Sequence, residues 1–122
     1  MIDYVITNGS QYYPDKDQPS RSLFDTAVKE YQKMYQISDE DMKKIQIVGA
    51  KCYVIEPLHQ IVKQLEIMVR ANFDMIVIAL SLDSKAEKGQ RQTIHEFFTL
   101  HREYENMDIY SGRIVYAKIP QK

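Results

Sequence analysis

Apolar residues fall along this chain in short β-rich runs that alternate with stretches of helical period. "IDYVI" at 2–6, bounded by "TNG", reads as a strand. Ser22 followed by Asp25 resembles a capping box with Asp in place of Glu. Phe24, Ala27, Val28, Tyr31, Met34 and Tyr35 then fall at helical spacing, predicting a helix over 22–36. "SDED" after Ile37 is a second N-cap signal, a serine oxygen for a free amide and acids for the positive end of the dipole. It predicts a short helix over Asp39–Lys44. "IQIVGAKCYVIEP" is β-rich but interrupted by Gly49, so it reads as one bulged strand, ending near Ile55, or as two strands joined tightly. Pro57 suits the first turn of a helix, and Leu58, Ile61, Val62, Leu65, Met68 and Val69 form the cleanest apolar stripe of the chain. The face of Leu58, Ile61, Leu65 and Met68 is expected to pack on the sheet.

"RANFD" closes that helix and leads into "MIVIALSL", apolar at every position but Ser81. A strand apolar on both faces is covered on both faces, which points to a central, largely parallel place. "DSKAEKGQRQ" then reads as a charged connection or an exposed first turn, and Ile94, Phe97, Phe98, His101 and Tyr104 mark a further amphipathic helix. "MDIYSGRIVYAKIP" holds at least one more strand, with Ser111-Gly112 suited to a tight hairpin turn. The order β-α-(α)-β-α-β-α-β predicts a single α/β domain over 1–122, a three-layer α/β/α sandwich around a small, mainly parallel sheet. The alternative is an α+β domain in which "IQIVGAKCYVIE" and "DIYSGRIVYAKI" are antiparallel hairpins turning at Gly49 and Gly112. No internal repeat, linker or low-complexity segment is seen.

Composition narrows the function classes only slightly. The apolar and charged fractions, 44% and 27%, are those of an ordinary globular protein, and a net charge of −1 gives no global attraction to nucleic acid or anionic membrane. Any basic patch must be local. One cysteine, Cys52, excludes an intramolecular disulfide and fits a reducing compartment. The N-terminus lacks a basic region followed by a long apolar core, and "MIVIAL" is too short to span a bilayer. A cytoplasmic location is the expectation.

The long polar connection "TNGSQYYPDKDQPSR", Thr7–Arg21, calls for an explanation, because such loops are usually functional or disordered. Ligands of open α/β sheets bind outside the carboxyl ends of the strands. If this loop and the Ser81–Arg91 connection leave from that edge, Asn8, Ser10, Tyr12, Tyr13 and Arg21 meet Asp83, Ser84, Lys85, Lys88 and Arg91 on one rim, with two helix N-termini pointing at it. That rim suits a phosphate or carboxylate. The competing reading is of solvated turn residues shaped by Gly and Pro. Tyr12 and Tyr13 suit stacking on a base or anchoring a protein; equally, they suit folding back to pin the loop.

Specific chemistry is largely excluded. With glycines at 9, 49, 89 and 112 the chain holds neither a Walker A loop nor a G-x-G-x-x-G turn. His59, His95 and His101 lack zinc-hydrolase spacing, and His101 reads as a packed residue of the apolar stripe. Cys52 has no CxxC partner and reads as a buried small hydrophobe. Asp83, ending the central strand, stands where a catalytic or Mg²⁺-binding carboxylate would, with Asp15, Asp17 and Glu56 as companions; the plainer role is to cap the next helix, and Asp74 reads as a turn residue. No catalytic residue, metal or cofactor is assigned. The leading expectation is a non-enzymatic binding or regulatory module acting through protein–protein contacts on tyrosine-rich surface, with a partner protein or with itself as a homodimer. A small enzyme or sensor binding a phosphorylated or nucleotide ligand at Ser10, Tyr12, Tyr13, Arg21, Asp83, Lys85, Lys88 and Arg91 is the second, and a nucleic-acid-binding accessory protein the third.

Overall fold

The computed structural model describes residues 3–7, 28–81, 83–110 and 113–118. In chain order these form β1 (Asp3–Thr7), α1 (28–34), α2 (Asp39–Met42), β2 (Ile47–Lys51), α3 (Leu58–Arg70), β3 (Met75–Ala79), α4 (Ser84–Thr99), β4 (Tyr104–Tyr110) and β5 (Arg113–Lys118). The five strands make one sheet in the order β1-β2-β3-β5-β4. The α/β class is as expected, but the mainly parallel sheet is not. Only β2 and β3 run parallel, while β1–β2, β3–β5 and β5–β4 are antiparallel.

Burial explains this order. β5 is apolar on both faces, with Ile114, Val115, Tyr116 and Ala117 all buried, whereas β4 exposes Glu105 and Asn106. The strand that can be covered twice takes the inside place beside β3, and the half-polar strand goes to the edge. The C-terminal hairpin is therefore real, with Tyr110 opposite Arg113 and a bulge between Asn106 and Asp108 on the edge strand. Its expected turn residues, Ser111 and Gly112, lie outside the described residues. The other expected hairpin is absent: "IQIVGAKCYVIE" supplies a single strand in which Gly49 pairs Val5 on one side and Val77 on the other. That strand ends at Lys51, not Ile55, because its ladder ends there. Ala79 takes one further bond from the Cys52 amide at 2.8 Å, and the chain then turns, Glu56 N–H bonding the Tyr53 carbonyl at 3.2 Å.

Alternate residues of the strands feed two core clusters. Val48, Ala50, Ile76, Ile78, Ile114 and Tyr116 pack with Ile61, Leu65 and Met68 of α3 and Ile94, Phe97 and Phe98 of α4. Ile47, Met75, Val77, Val115 and Ala117 pack with Tyr31 of α1 and Met42 of α2. β3 is buried at its first four positions, as its continuous apolar run predicts. Tyr31 donates to the Lys118 carbonyl at 3.2 Å, and burial pushes its phenol up to about 12.

The helix ends follow their sequence signals with informative differences. Ser38 caps α2, its Oγ accepting from the Asp41 amide at 3.1 Å. Pro57 is the N-cap of α3, one position before the first turn expected for it. α3 ends at Arg70, with Asn72 in the left-handed region at φ 64°, a conformation asparagine tolerates after a helix. Asp74 does more than turn the chain. Its Oδ2 accepts from the Gln46 amide at 2.9 Å and its carbonyl from the Lys118 amide at 2.8 Å, tying the ends of three strands. α4 begins at Ser84, so "SKAEKGQRQ" is helical; the helix stops at Thr99, and His101 and Tyr104 lie beyond it. His101 is still packed, its ring stacked on Phe97 with centroids 4.5 Å apart. The expected residues 22–27 of the first helix lie outside the described set.

Candidate functional site at the carboxyl edge of the parallel pair

β2 and β3 end side by side, Lys51 opposite Ala79, and each is followed by a short connection into a helix. The N-termini of α3 and α4 therefore stand at the same edge, as ligand sites of α/β sheets require. The opening loop departs from the other one. β1 is antiparallel to β2, with Thr7 opposite Ile47, so its last residue lies at the amino ends of β2 and β3. The expectation that Thr7–Arg21 and Ser81–Arg91 leave from one edge is thus corrected by strand direction. Asn8, Ser10, Tyr12, Tyr13 and Arg21, and the acids Asp15 and Asp17, lie outside the described residues.

Asp83, Ser84, Lys85, Lys88 and Arg91 all ride on the start of α4. Asp83 is its N-cap: Oδ1 accepts from the amides of Lys85 at 3.1 Å and Ala86 at 3.0 Å. The amides that would greet an anion there are occupied by the chain's own carboxylate. Lys85 and Lys88 are exposed. Arg91 is committed to Glu87 one turn earlier, both Nε and Nη2 donating to Oε1, the former at 2.8 Å, while Nη1 is buried with no hydrogen-bond partner among the described residues. Glu56 is buried and does not share an exposed rim with Asp83. Among the described residues no group of three His, Cys, Asp or Glu side chains is disposed to hold a metal.

Gln90 is the residue that organises this edge, and sequence reasoning passed over it. It is 1 % exposed. Its Oε1 accepts from the Ser81 amide at 2.9 Å and its Nε2 donates to the Tyr53 carbonyl at 3.0 Å. One side chain thereby fastens the connection after β2 to the connection after β3. The signal was present: Gln90 lies four residues before Ile94, on the buried stripe of α4, where an amide has no place unless it is paired. Ser81 adds a local bond, its Oγ accepting from the Asp83 amide at 3.1 Å.

The connection held by Gln90 displays apolar side chains instead of burying them. Val54 is 53 %, Ile55 85 % and Leu58 45 % exposed. Leu58 was expected on the buried face of α3, but it stands in the first turn beyond the sheet edge, near Gly89, where an added Cβ would lie 4.0 Å from its methyl carbons. The lysine ammonium of Lys51 lies 5.9 Å from the centre of the Tyr53 ring. Cys52, just before, is buried, and its thiol is pushed up to about 12 by burial and by the nearby Glu56 carboxylate. That is the inert core cysteine the strand pattern predicts.

Comparison of the chain with protein-family models, curated proteins and solved structures finds no match. What the site does must come from its own chemistry. Of the described tyrosine side chains, Tyr31, Tyr104 and Tyr116 belong to the core, while Tyr35 and Tyr53 are partly exposed. Tyr104 donates to the Phe73 carbonyl, and burial raises its phenol. Tyr116 stacks on Phe98 at 3.9 Å between centroids and hydrogen bonds to Nδ1 of His95. His95 is held below the ordinary imidazole range by burial and by the Arg91 charge. No described helix is long and apolar enough to cross a membrane.

Proposed function

We propose that this protein is a non-enzymatic binding module whose contact surface for another protein is the apolar connection 53–58. The observation that carries the reading is the concentration of exposed large apolar side chains there. Of the six among the described residues, Val54, Ile55 and Leu58 come from one stretch of five, while Met34, Ile67 and Leu100 are scattered. Isolated exposed apolar residues need no explanation, but a cluster does. A flexible loop would lose entropy on docking; this one is already fastened to α4 through Gln90, so less ordering remains to be done in the complex. The self-capped α4 N-terminus weighs against the alternative of an anionic small ligand at that helix.

Site-specific photo-crosslinking in the source cells tests the reading. A benzophenone side chain at position 55 should give a discrete adduct with another protein, and one at the exposed Lys63 of α3 should not. Equal adduct patterns from both positions, or none from either, contradict it.

A further inference from the structure

We propose that the partner presented to the 53–58 surface is an acidic amphipathic segment, apolar on one face and carboxylate-bearing on the other; this rests on the docking reading above. Leu58 and Tyr53 meet α4 at Gly89 and Gln90, so the apolar connection lies alongside the start of that helix. Lys85 is one turn before Gly89 on the same side of α4, with Lys88 beside it, and both are exposed. The described acids of this connection and of the start of α4 are engaged or buried. Asp83 is turned onto the amides of its own helix, Glu87 is bound to Arg91, and Glu56 is buried.

The start of α3 adds to the same sign. Pro57 offers no side chain to cap it and its first turn holds no acid. The positive end of its dipole lies directly beside the exposed Leu58. An apolar centre with exposed lysines beside it is complementary to apolar anchors flanked by Asp or Glu. Such complementarity selects the partner and speeds encounter more than it raises affinity. Since the chain as a whole is near neutral, the local charge acts as a selector and not as a general attraction for polyanions.

The test uses the full chain and synthetic helical peptides of about 18 residues, long enough to hold a helix in water. Each carries leucine on one face, and Glu, Gln or Lys on the other; binding is read by fluorescence anisotropy. The Glu peptide should bind about tenfold more tightly than the Gln peptide, and the Lys peptide most weakly. Ile55→Asp should abolish binding, and Lys85→Glu with Lys88→Glu should erase the preference for Glu. This double change alters only exposed side chains, so the test stays readable even if Ile55→Asp disturbs the connection. Equal binding of the Glu and Gln peptides, lost in Ile55→Asp, overturns the acidic partner while leaving the docking surface standing. Binding that survives Ile55→Asp overturns both, and so does the absence of binding by every peptide. Preference for phosphatidylglycerol vesicles over the Glu peptide, or an Ile55-dependent dimer in sedimentation velocity, replaces the acidic segment with a membrane or a second copy and overturns the proposal.

Discussion

Gln90 bonds two backbone groups from different connections, and the tie between them is lost if its amide is removed. Replacing it with Leu keeps the size but leaves the Ser81 N–H without this acceptor and takes from the Tyr53 carbonyl one of its donors, the Glu56 N–H remaining. The expected cost is about 1–3 kcal/mol in chemical denaturation, with faster amide exchange at Ser81. A loss below about 1 kcal/mol would mean that water satisfies these groups equally well. His95 gives a second residue-scale expectation. Its folded pKa is lowered, so the unfolded chain takes up a proton first as pH falls through the ordinary imidazole value of about 6.5. Stability should therefore be full above that pH and decline below it, levelling once the folded protein also protonates. In His95→Asn, whose side chain does not titrate, the slope of stability against pH between about 6.5 and 5 should flatten; an unchanged slope would assign the effect elsewhere. Cys52, buried with a raised pKa, should resist thiol reagents in the folded protein and react once denaturant is added. At this scale Cys52 and the Asp83 cap were legible, because strand pattern and capping chemistry are local. The Gln90 bridge was not, since its two partners are 9 and 37 residues away in sequence.

At the level of elements, α3 and the end of β2 show what periodicity can and cannot give. Ile61, Leu65 and Met68 are buried as their spacing predicts, and Leu65→Ala should cost about 2–5 kcal/mol in denaturant titration. Leu58 follows the same spacing yet is 45 % exposed, because the first turn of α3 lies past the end of β2 and sets this side chain beside Gly89 of α4 instead of on the strands. "CYVIE" has strand composition but turns, because the ladder with β3 has no strand residue beyond Ala79 to pair. β-propensity describes a fit to a half-buried pleat and cannot supply a missing neighbour. The start of α4 was masked by its charges: with no apolar residue larger than Ala86 on the first two turns its period was invisible, although Asp83 gave the cap. Asp83→Ala should lower stability by about 0.5–2 kcal/mol, read by thermal unfolding. No change would mean that the helix is held by Gln90 and Ile94 alone.

For the molecule as a whole, the alternation of strands and helices indicated the α/β class, and "MIVIAL" gave the central strand. The mainly parallel sheet failed because nothing in β-α-β-α-β order says that a C-terminal hairpin will fold its last strand inward. The contrast between "RIVYAK", apolar on both faces, and "YENMDIY", half polar, carried that information and decides it physically. Likewise the direction of β1 separates the departure of the opening loop from the carboxyl edge of the parallel pair, so that 51–58, 80–81 and 83–91 lie at that edge and Thr7 does not. The account of this edge as a docking surface is tested most directly by hydroxyl-radical footprinting of the free protein and of the protein in extract from its source cells. Each side chain is normalised to its own rate in buffer. Val54, Ile55 and Leu58 should lose most of their reactivity in the extract, while Met34, Ile67 and Leu100, equally apolar and also exposed, should keep theirs. Uniform protection of all six, or reactivity of Val54, Ile55 and Leu58 unchanged in the extract, would contradict it.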